Sequence, residues 1–313
     1  MNEITTTRHN HMIDPSLTVW GWEIPVYLFL GGMVAGMMLI SGYFLFKGRH
    51  KEDNCSCYYL PYMSIILLSL GMVALFLDLE HKLYVWRLYT TFQITSAMSW
   101  GSWILVLVYP ILIVNIMMRP PKIVEEKLPI LKEWKNKLLS HPLLIKNIGV
   151  LTMFFGAGIG LYTGVLLSSL GARPLWSSSI LWLLFLISGL SGAAAFVHVI
   201  AKNVYERELL AKADNAFLIV ELFVIALFLI GLKTATEVQA NAADMLLFGD
   251  FASSFWVFVI GFGIIVPLII QLLAVNHKIH HTPIAPIMVI IGGLILRFII
   301  VAAGQYSHWY ALN

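Results

Sequence analysis

The sequence has few charged residues and few polar stretches. Charged residues account for only 12% of its 313 residues, whereas hydrophobic residues account for 59% and the mean hydropathy is +0.83. A soluble domain carries about 25% charged residues, so this composition excludes an ordinary soluble protein. Basic residues do not cluster with aromatic residues on a polar face, and nothing predicts a nucleic-acid partner. The composition indicates a polytopic membrane protein in contact with the lipid bilayer.

Cysteine is nearly absent, with only Cys55 and Cys57 in a short polar stretch. Two thiols cannot supply the four ligands of an iron–sulfur cluster, so no cluster is predicted in this chain. A disulfide between two cysteines separated by one residue is strained, so the pair is predicted to be free thiols.

Histidine is scarce within the apolar runs. Of ten histidines, only His198 lies in a predicted span, whereas two stacked haems need four ligands inside the membrane. The sequence therefore predicts no haem in this chain. The stretch HKIHH at 277–281 contains residues that bind metals, but it is interpreted as a solvated basic loop, and no metal site is predicted.

Long apolar runs, by contrast, are abundant. A bilayer core about 30 Å thick requires roughly 20 apolar residues per helix, and these runs are too uniformly apolar for barrel strands. The sequence predicts an all-α integral membrane protein with eight transmembrane helices, expected as two four-helix bundles within a single polytopic domain over 1–313. The predicted spans are about 22–46, 58–78, 96–118, 147–169, 178–201, 213–232, 252–275 and 284–304.

Lysine and arginine are distributed unevenly between the connecting segments. Fourteen lie in the segments that follow spans 1, 3, 5 and 7, and five lie in the segments on the other side. Because positive residues concentrate on the cytoplasmic side, both termini are predicted to lie outside, in a multi-pass protein of the cell's inner membrane. The longest inner segment, 119–146, is predicted to form a surface amphipathic helix with Ile130, Leu131, Trp134 and Leu138 on one face.

Ionisable and phenolic side chains within the spans are the candidates for function, because such groups are costly in lipid. Five of them fall in the predicted outer half of the membrane, and two lie on one face of span 6, seven residues apart. In chain order the candidates are Glu23, Tyr27, Asp78, Tyr162, Asp214, Glu221 and Arg297.

A structural role stays open for the candidates at this point. Glu23 suits a helix N-terminus, where the helix dipole favours it, and Tyr27 suits an aromatic belt at the membrane surface. Asp78 ends its span, where water can solvate it. Glu221 and Arg297 can pair with each other without any functional role.

Taken together, phenol, carboxylate and guanidinium groups suit a quinone. The two carbonyl oxygens of a quinone require hydrogen-bond donors, and the two protons of a quinol require acceptors when its electrons leave. The combination therefore favours quinone chemistry near the outer face, with the quinol reaching its site laterally among spans 1 to 4.

Two stretches carry a resemblance to a known family. They are VYLFLGGMVAG in span 1 and LDLEHKLYVWRLYTTFQITSAMSWGSWIL across spans 2 and 3. With the eight-span length, they resemble the NrfD-type membrane anchor family, in particular the membrane subunit of polysulfide reductase. The resemblance covers nearly the whole chain.

The resemblance implies a ligand and a set of partners. Family members bind menaquinol or another quinone near the outer face and carry no haem or iron–sulfur cluster of their own. They dock a four-cluster, ferredoxin-like iron–sulfur subunit, which passes electrons to a molybdopterin or other catalytic subunit on the outer face.

The resemblance also assigns roles to residues. Tyr162 matches a phenol that contacts the quinone, and Tyr27 occupies a quinone-contacting position where some relatives have a histidine and tyrosine is a family alternative. Asp78 matches a carboxylate near the head group, where it is expected to accept a proton, and Glu23 is a weaker match for the same catalytic role. A further group, matched to proton movement or quinone chemistry, consists of Asp214, Glu221 and Arg297.

The sequence therefore predicts the quinol-oxidising membrane anchor of a respiratory reductase, with polysulfide or a related sulfur compound as terminal substrate. The anchors of thiosulfate, tetrathionate, sulfite, nitrite and arsenate respiration are alternatives. A secondary transporter is an alternative from another class, but the prolines that interrupt the spans show no inverted register. Proton translocation, the quinone species, the direction of electron flow and a dimer of complexes stay open.

Overall fold

The computed structural model describes residues 20–49, 55–118, 120, 122–127, 129–171, 173–276 and 282–309. Over these residues the protein is predominantly helical and contains no strand. Within the described ranges, eight helices are long and apolar enough to cross a membrane, which confirms the predicted all-α membrane fold. They are α1 (Glu23–Phe46), α2 (Leu60–Asp78), α3 (Ala97–Met118), α4 (Pro142–Ser168), α5 (Leu181–Ile200), α6 (Val204–Thr234), α7 (Ser254–Val275) and α8 (Ile284–Tyr306).

Two helices begin earlier than the sequence predicted. α4 begins at Pro142 rather than near 147, and α6 begins at Val204 rather than near 213. The Asn203 side chain accepts a hydrogen bond from the Tyr205 N–H and caps the first turn of α6. Charged residues in this turn and the next lower the local hydropathy, so a hydropathy scan does not detect this part of the helix. Asp214, predicted at the end of span 6, instead lies inside α6 and is fully buried.

The helix α7 differs from the other spans in its backbone. Its first part, Ser254–Ile265, is π-helical, and its last part, Val266–Val275, is α-helical. A Cβ atom at Gly263 would lie 2.7 Å from the Cα atom of Gly292 in α8. Two facing glycines therefore let α7 approach α8 closely.

The start of α1 and the end of α8 lie side by side. The Trp20 N–H donates to Gln305 Oε1 at 3.0 Å, and Gln305 Nε2 donates to the Trp20 carbonyl at 3.0 Å. We refer to this end of the bundle as the termini face. That it lies outside stays a prediction, and four of the basic residues behind that prediction lie outside the described residues: Arg8, Lys51, Arg119 and Lys278.

The helix α1 is central in the bundle. It packs against α2 and α4 in the first half of the sequence and against α5 and α8 in the second half. A Cβ atom at Gly36 would lie 2.7 Å from the Gly189 carbonyl of α5, and one at Gly156 of α4 would lie 2.8 Å from Met38 Cβ. Small residues thus allow close helix contacts on two sides of α1. Because the two halves share this interface, their division into two four-helix bundles stays a prediction.

The predicted surface helix is present as Pro129–Leu139. Leu138 packs beside the cluster at the ends of α1, α3 and α4, whereas Ile130 and Trp134 are exposed. The side chain of Leu131 lies outside the described part of the protein.

The prediction that Cys55 and Cys57 are free thiols is wrong, because the structure joins them in a disulfide. A 3-10 turn over Ser56–Tyr58 brings their Cα atoms to 5.2 Å, within the range that a disulfide spans. The Ser56 N–H and Oγ–H donate to Glu206 Oε2 at 3.0 and 2.6 Å. This buried carboxylate therefore ties the segment that follows α1 to the first turn of α6.

Candidate functional site

Two predicted phenols meet inside the bundle. Tyr27 of α1 and Tyr162 of α4 are buried, with 4% and 9% of their surface exposed, and a hydrogen bond links their side chains. The Tyr162 ring lies against Gly101 of α3, where any Cβ atom would overlap it. A Cβ atom at Gly71 of α2 would lie 3.7 Å from Tyr27 Cδ2. Four helices thus enclose these residues, which we name the tyrosine pair.

A third phenol, Tyr89, lies within electrostatic range of the tyrosine pair. It belongs to the short helix Arg87–Thr90 in the segment that joins α2 to α3. Partial burial, and to a smaller extent the neighbouring Tyr109, raise the pKa of Tyr89 above its ordinary value. Sequence reasoning missed this residue, because Tyr89 lies between spans rather than within one.

Two predicted carboxylates flank the tyrosine pair at the termini face. Glu23 is the first residue of α1 and Asp78 the last residue of α2, and their side chains are close enough to interact electrostatically. Both are half-buried. Glu23 precedes Tyr27 by one helical turn, a rise of about 6 Å. The structure therefore places an acidic rim between the tyrosine pair and the surface.

Arg297 of α8 is fully buried and makes three contacts within the second half of the sequence. Its Nη1 donates to Ser188 Oγ and to the Gly293 carbonyl at 3.1 Å, and its Nη2 donates to the Phe185 carbonyl at 2.9 Å. The guanidinium also lies over the Phe185 ring, 4.9 Å from its centroid. The hydroxyl of Ser188 interacts in turn with the carboxylate of Glu221. Ser188 therefore bridges the predicted cation and the predicted anion.

Asp214 lies two turns from Glu221 on α6 and interacts with it electrostatically. Ser191 Oγ donates to Asp214 Oδ1 at 2.8 Å, and Gln271 Nε2 donates to Oδ2 at 2.7 Å. Each helix from α5 to α8 thus contributes to one buried network. We name it the polar network; its members are Ser188, Ser191, Asp214, Glu221, Gln271 and Arg297.

The tyrosine pair and the polar network lie against different faces of α1. Arg297 Nη2 is 3.4 Å from the position that a Cβ atom at Gly32 would occupy. Gly32 follows Tyr27 by five residues, which turns it well away from the face that carries Tyr27. The sequence predicted five of these groups in the outer half of the membrane, and the structure groups the candidates into two clusters separated by α1.

The remaining candidates from the sequence are side chains that bind metals. In the ranges that the structure describes, no three histidine, cysteine, aspartate or glutamate side chains come together in a way that could hold a metal ion. The stretch HKIHH at 277–281 lies outside the described residues. His198 is buried in α5.

Comparison of the sequence with known proteins identifies a family. The model of the family described as "Polysulphide reductase, NrfD" matches residues 9–307. Over 312 residues the sequence is 28% identical to a polysulfide reductase polypeptide of Wolinella succinogenes, covering 92% of this protein and 94% of that one. It is 30% identical over 317 residues to protein NrfD of Escherichia coli, covering 92% and 96%.

A more distant relative is a selenate reductase subunit of Mesobacillus selenatarsenatis. It is 25% identical over 317 residues, covering 91% of this protein and 74% of that one. Two of these relatives are named as parts of reductases. With the family model matching nearly the full length, this protein belongs to the polysulphide reductase NrfD family of membrane proteins.

Proposed function

We propose that this protein is the quinone-interacting membrane subunit of a multisubunit reductase and that it oxidises menaquinol at the tyrosine pair. The observation that carries the proposal is the direct interaction of Tyr27 and Tyr162 in the interior, beside the acidic rim of Glu23 and Asp78. Two phenols buried together are costly structural elements, because buried hydroxyls require hydrogen bonds. They offer both donors and acceptors to the two oxygens of a quinol.

The chemistry divides between the tyrosine pair and the acidic rim. Oxidation of a quinol releases two electrons and two protons. In the proposal, the tyrosine hydroxyls hold the quinol oxygens, and Asp78, with Glu23 beside it, accepts protons near the termini face. The short distance from the tyrosine pair to that face favours electron transfer to a partner subunit docked there.

The partners follow from the same arrangement. The electron acceptor is proposed to be a four-cluster iron–sulfur subunit, which delivers electrons to a molybdopterin or other catalytic subunit. The termini face then lies on the outer side of the inner membrane. Relatives are named for polysulfide and for selenate, so this subunit type serves different terminal substrates. We propose polysulfide or a related sulfur compound, with nitrite and arsenate among the alternatives.

Quinol oxidation by the purified complex tests the site. Tyr162→Phe removes one hydrogen bond to the quinol, so we expect a loss of about tenfold in kcat/KM, the effect of roughly 1.4 kcal/mol. Asp78→Asn removes a proton acceptor and is expected to cost more, about a hundredfold. Reduction of the terminal substrate by the partner subunits, with an artificial electron donor that bypasses the tyrosine pair, monitors assembly.

Matched controls lie on or beside the same helices. Tyr43→Phe changes an exposed phenol of α1 far from the tyrosine pair, and Glu80→Gln changes an exposed carboxylate two residues after Asp78. Both are expected to retain wild-type rates. Wild-type rates in Tyr162→Phe and Asp78→Asn as well would rule out this site.

We further propose that the polar network moves protons. Its support is a series of hydrogen-bonding groups from Gln271 to Arg297, buried where each ionisable group is costly. In reconstituted vesicles normalised to the amount of assembled complex, Glu221→Gln is expected to keep quinol oxidation per complex while lowering the number of protons moved per electron; the unbalanced Arg297 charge is expected to lower the yield of folded complex. The control is Glu208→Gln, an exposed carboxylate on the same helix. An unchanged proton stoichiometry in Glu221→Gln contradicts the relay and leaves the polar network a structural element.

A further inference from the structure

A large apolar groove lies between α3 and α4 on the side of the termini face. Its volume is about 620 Å³, within the range of small-molecule sites. Aromatic and aliphatic side chains line it, together with one glycine: Phe92, Trp100, Trp103, Ile104, Leu107, Phe154, Phe155 and Gly158. None of these residues is charged.

A cluster of three aromatic rings in edge-on contact forms part of the groove. Phe92, in the segment before α3, meets Trp100 edge-on at 5.2 Å and Trp103 at 5.8 Å between centroids. Trp100 Nε1 donates to the Ile94 carbonyl at 2.8 Å. The indole N–H of Trp100 therefore already has an acceptor in a residue that does not line the groove, and Trp100 offers a ligand only its apolar ring surface.

The groove is open to the lipid on one side. Trp100, Leu107 and Phe154 expose between 47% and 68% of their surface. At its floor, a Cβ atom on Gly158 would meet only Ile104, at 3.9 and 4.0 Å. Gly158 has no side chain to fill this space, and its surroundings have room for the methyl group of an alanine.

Both helices that form the groove also carry residues at the tyrosine pair. Gly158 and Tyr162 are four residues apart on α4 and share one face of that helix. On α3, Trp100 precedes Gly101, the residue against which the Tyr162 ring lies. The lining of the groove at Gly158 therefore lies one helical turn from Tyr162.

We propose that this groove holds the isoprenoid tail of the quinol, an inference that rests on the proposed function. An isoprenoid tail is apolar, flexible and attached to the head group that the tyrosine pair would hold. A concave, narrow cavity bounded by two adjacent helices suits a single tail better than a further helix, which needs a long open face. Trp100, Trp103 and Phe154 are then residues that distinguish long-tailed from short-tailed quinols.

The test compares quinols that differ only in tail length, using the purified complex in lipid nanodiscs. Gly158→Leu fills the groove, and we expect it to raise KM for a long-tailed menaquinol by about fivefold or more. The KM for an analogue without a tail should not change, because the head-group contacts are intact. Gly158→Ala is the matched control at the same position, and Gly231→Leu in α6 controls for a bulky residue elsewhere. Equal effects of Gly158→Leu on both quinols would overturn the proposal.

A binding measurement separates the groove from the proposed function. A photoreactive quinone with a diazirine on its isoprenoid tail is expected to label the α3 and α4 peptides that contain Trp103 and Phe154. Excess long-tailed quinone should prevent that labelling, and excess phosphatidylcholine should not. Competition by phosphatidylcholine would identify a lipid acyl group as the occupant, and labelling of other helices or of a second copy would also overturn the inference. If the complex oxidises no quinol, the proposed function fails, while the labelling pattern still decides what the groove binds.

Discussion

Replacing Arg297 with methionine is expected to destabilise the protein by about 3–5 kcal/mol, enough to lower the yield of folded complex sharply. The guanidinium is buried and donates to Ser188 and to the carbonyls of Phe185 and Gly293. Without it, Glu221 is left as a buried carboxylate whose charge Arg297 no longer balances. Arg297 and Glu221 interact electrostatically and through Ser188, and removal of one of two opposite buried charges is costly because the remaining charge is desolvated and unbalanced.

A double-mutant cycle tests this interpretation. Arg297→Met combined with Glu221→Gln removes both charges, and we expect the double variant to recover most of the lost thermal stability. The control is Lys233→Met, which breaks an exposed ion pair of 2.6 Å with Asp244 and is expected to cost less than about 1 kcal/mol. A double variant that is no more stable than either single variant would show that Arg297 and Glu221 are not energetically coupled.

The second large effect is expected from Gly101→Ala. A methyl group at this position overlaps the Tyr162 ring, so the ring must leave its place beside Tyr27. A displacement of about 1 Å in a binding group costs on the order of a hundredfold in rate. Because both phenols of the tyrosine pair are then misplaced, we expect quinol oxidation by Gly101→Ala to fall to about one-hundredth or less, further than in Tyr162→Phe, where both rings keep their positions. The measurement is the initial rate with excess quinol.

The control for Gly101→Ala is another glycine beside the tyrosine pair. A Cβ atom at Gly71 would lie 3.5 Å from Leu30 Cβ and 3.7 Å from Tyr27 Cδ2, which are ordinary contacts, so Gly71→Ala should remain active. Combining Gly101→Ala with Tyr162→Ala removes the steric overlap but should not restore activity, since the phenol is gone. Full activity in Gly101→Ala would mean that the position of Tyr162 does not matter for the reaction.

The sequence predicted the spans well for a simple physical reason. A run of about 20 apolar residues has few stable structures other than a transmembrane helix. The start of α6 was missed because its first turns carry Glu206, Arg207 and Glu208, which a hydropathy scan reads as a loop. That error placed Asp214 at a surface, although the structure buries it completely.

The candidate site was predictable only where a residue is unusual in lipid. Glu221 and Arg297 stood out for this reason, and their shared partner Ser188 did not. Small and uncharged polar residues are common where membrane helices pack, and whether one faces a carboxylate depends on how neighbouring helices rotate. Tyr89 was missed because the path of a connecting segment back to the bundle is a tertiary property.

The glycine contacts of α1 have a mechanical consequence. Gly36 fixes α1 against α5, and Gly156 fixes α4 against α1, with backbone atoms in contact on both sides. Close-packed interiors transmit displacements rather than absorb them, so α1 can shift only together with its neighbours. The helix that carries Tyr27 also contacts Arg297 at Gly32, and any displacement caused at one cluster is therefore communicated to the other across the thickness of a single helix.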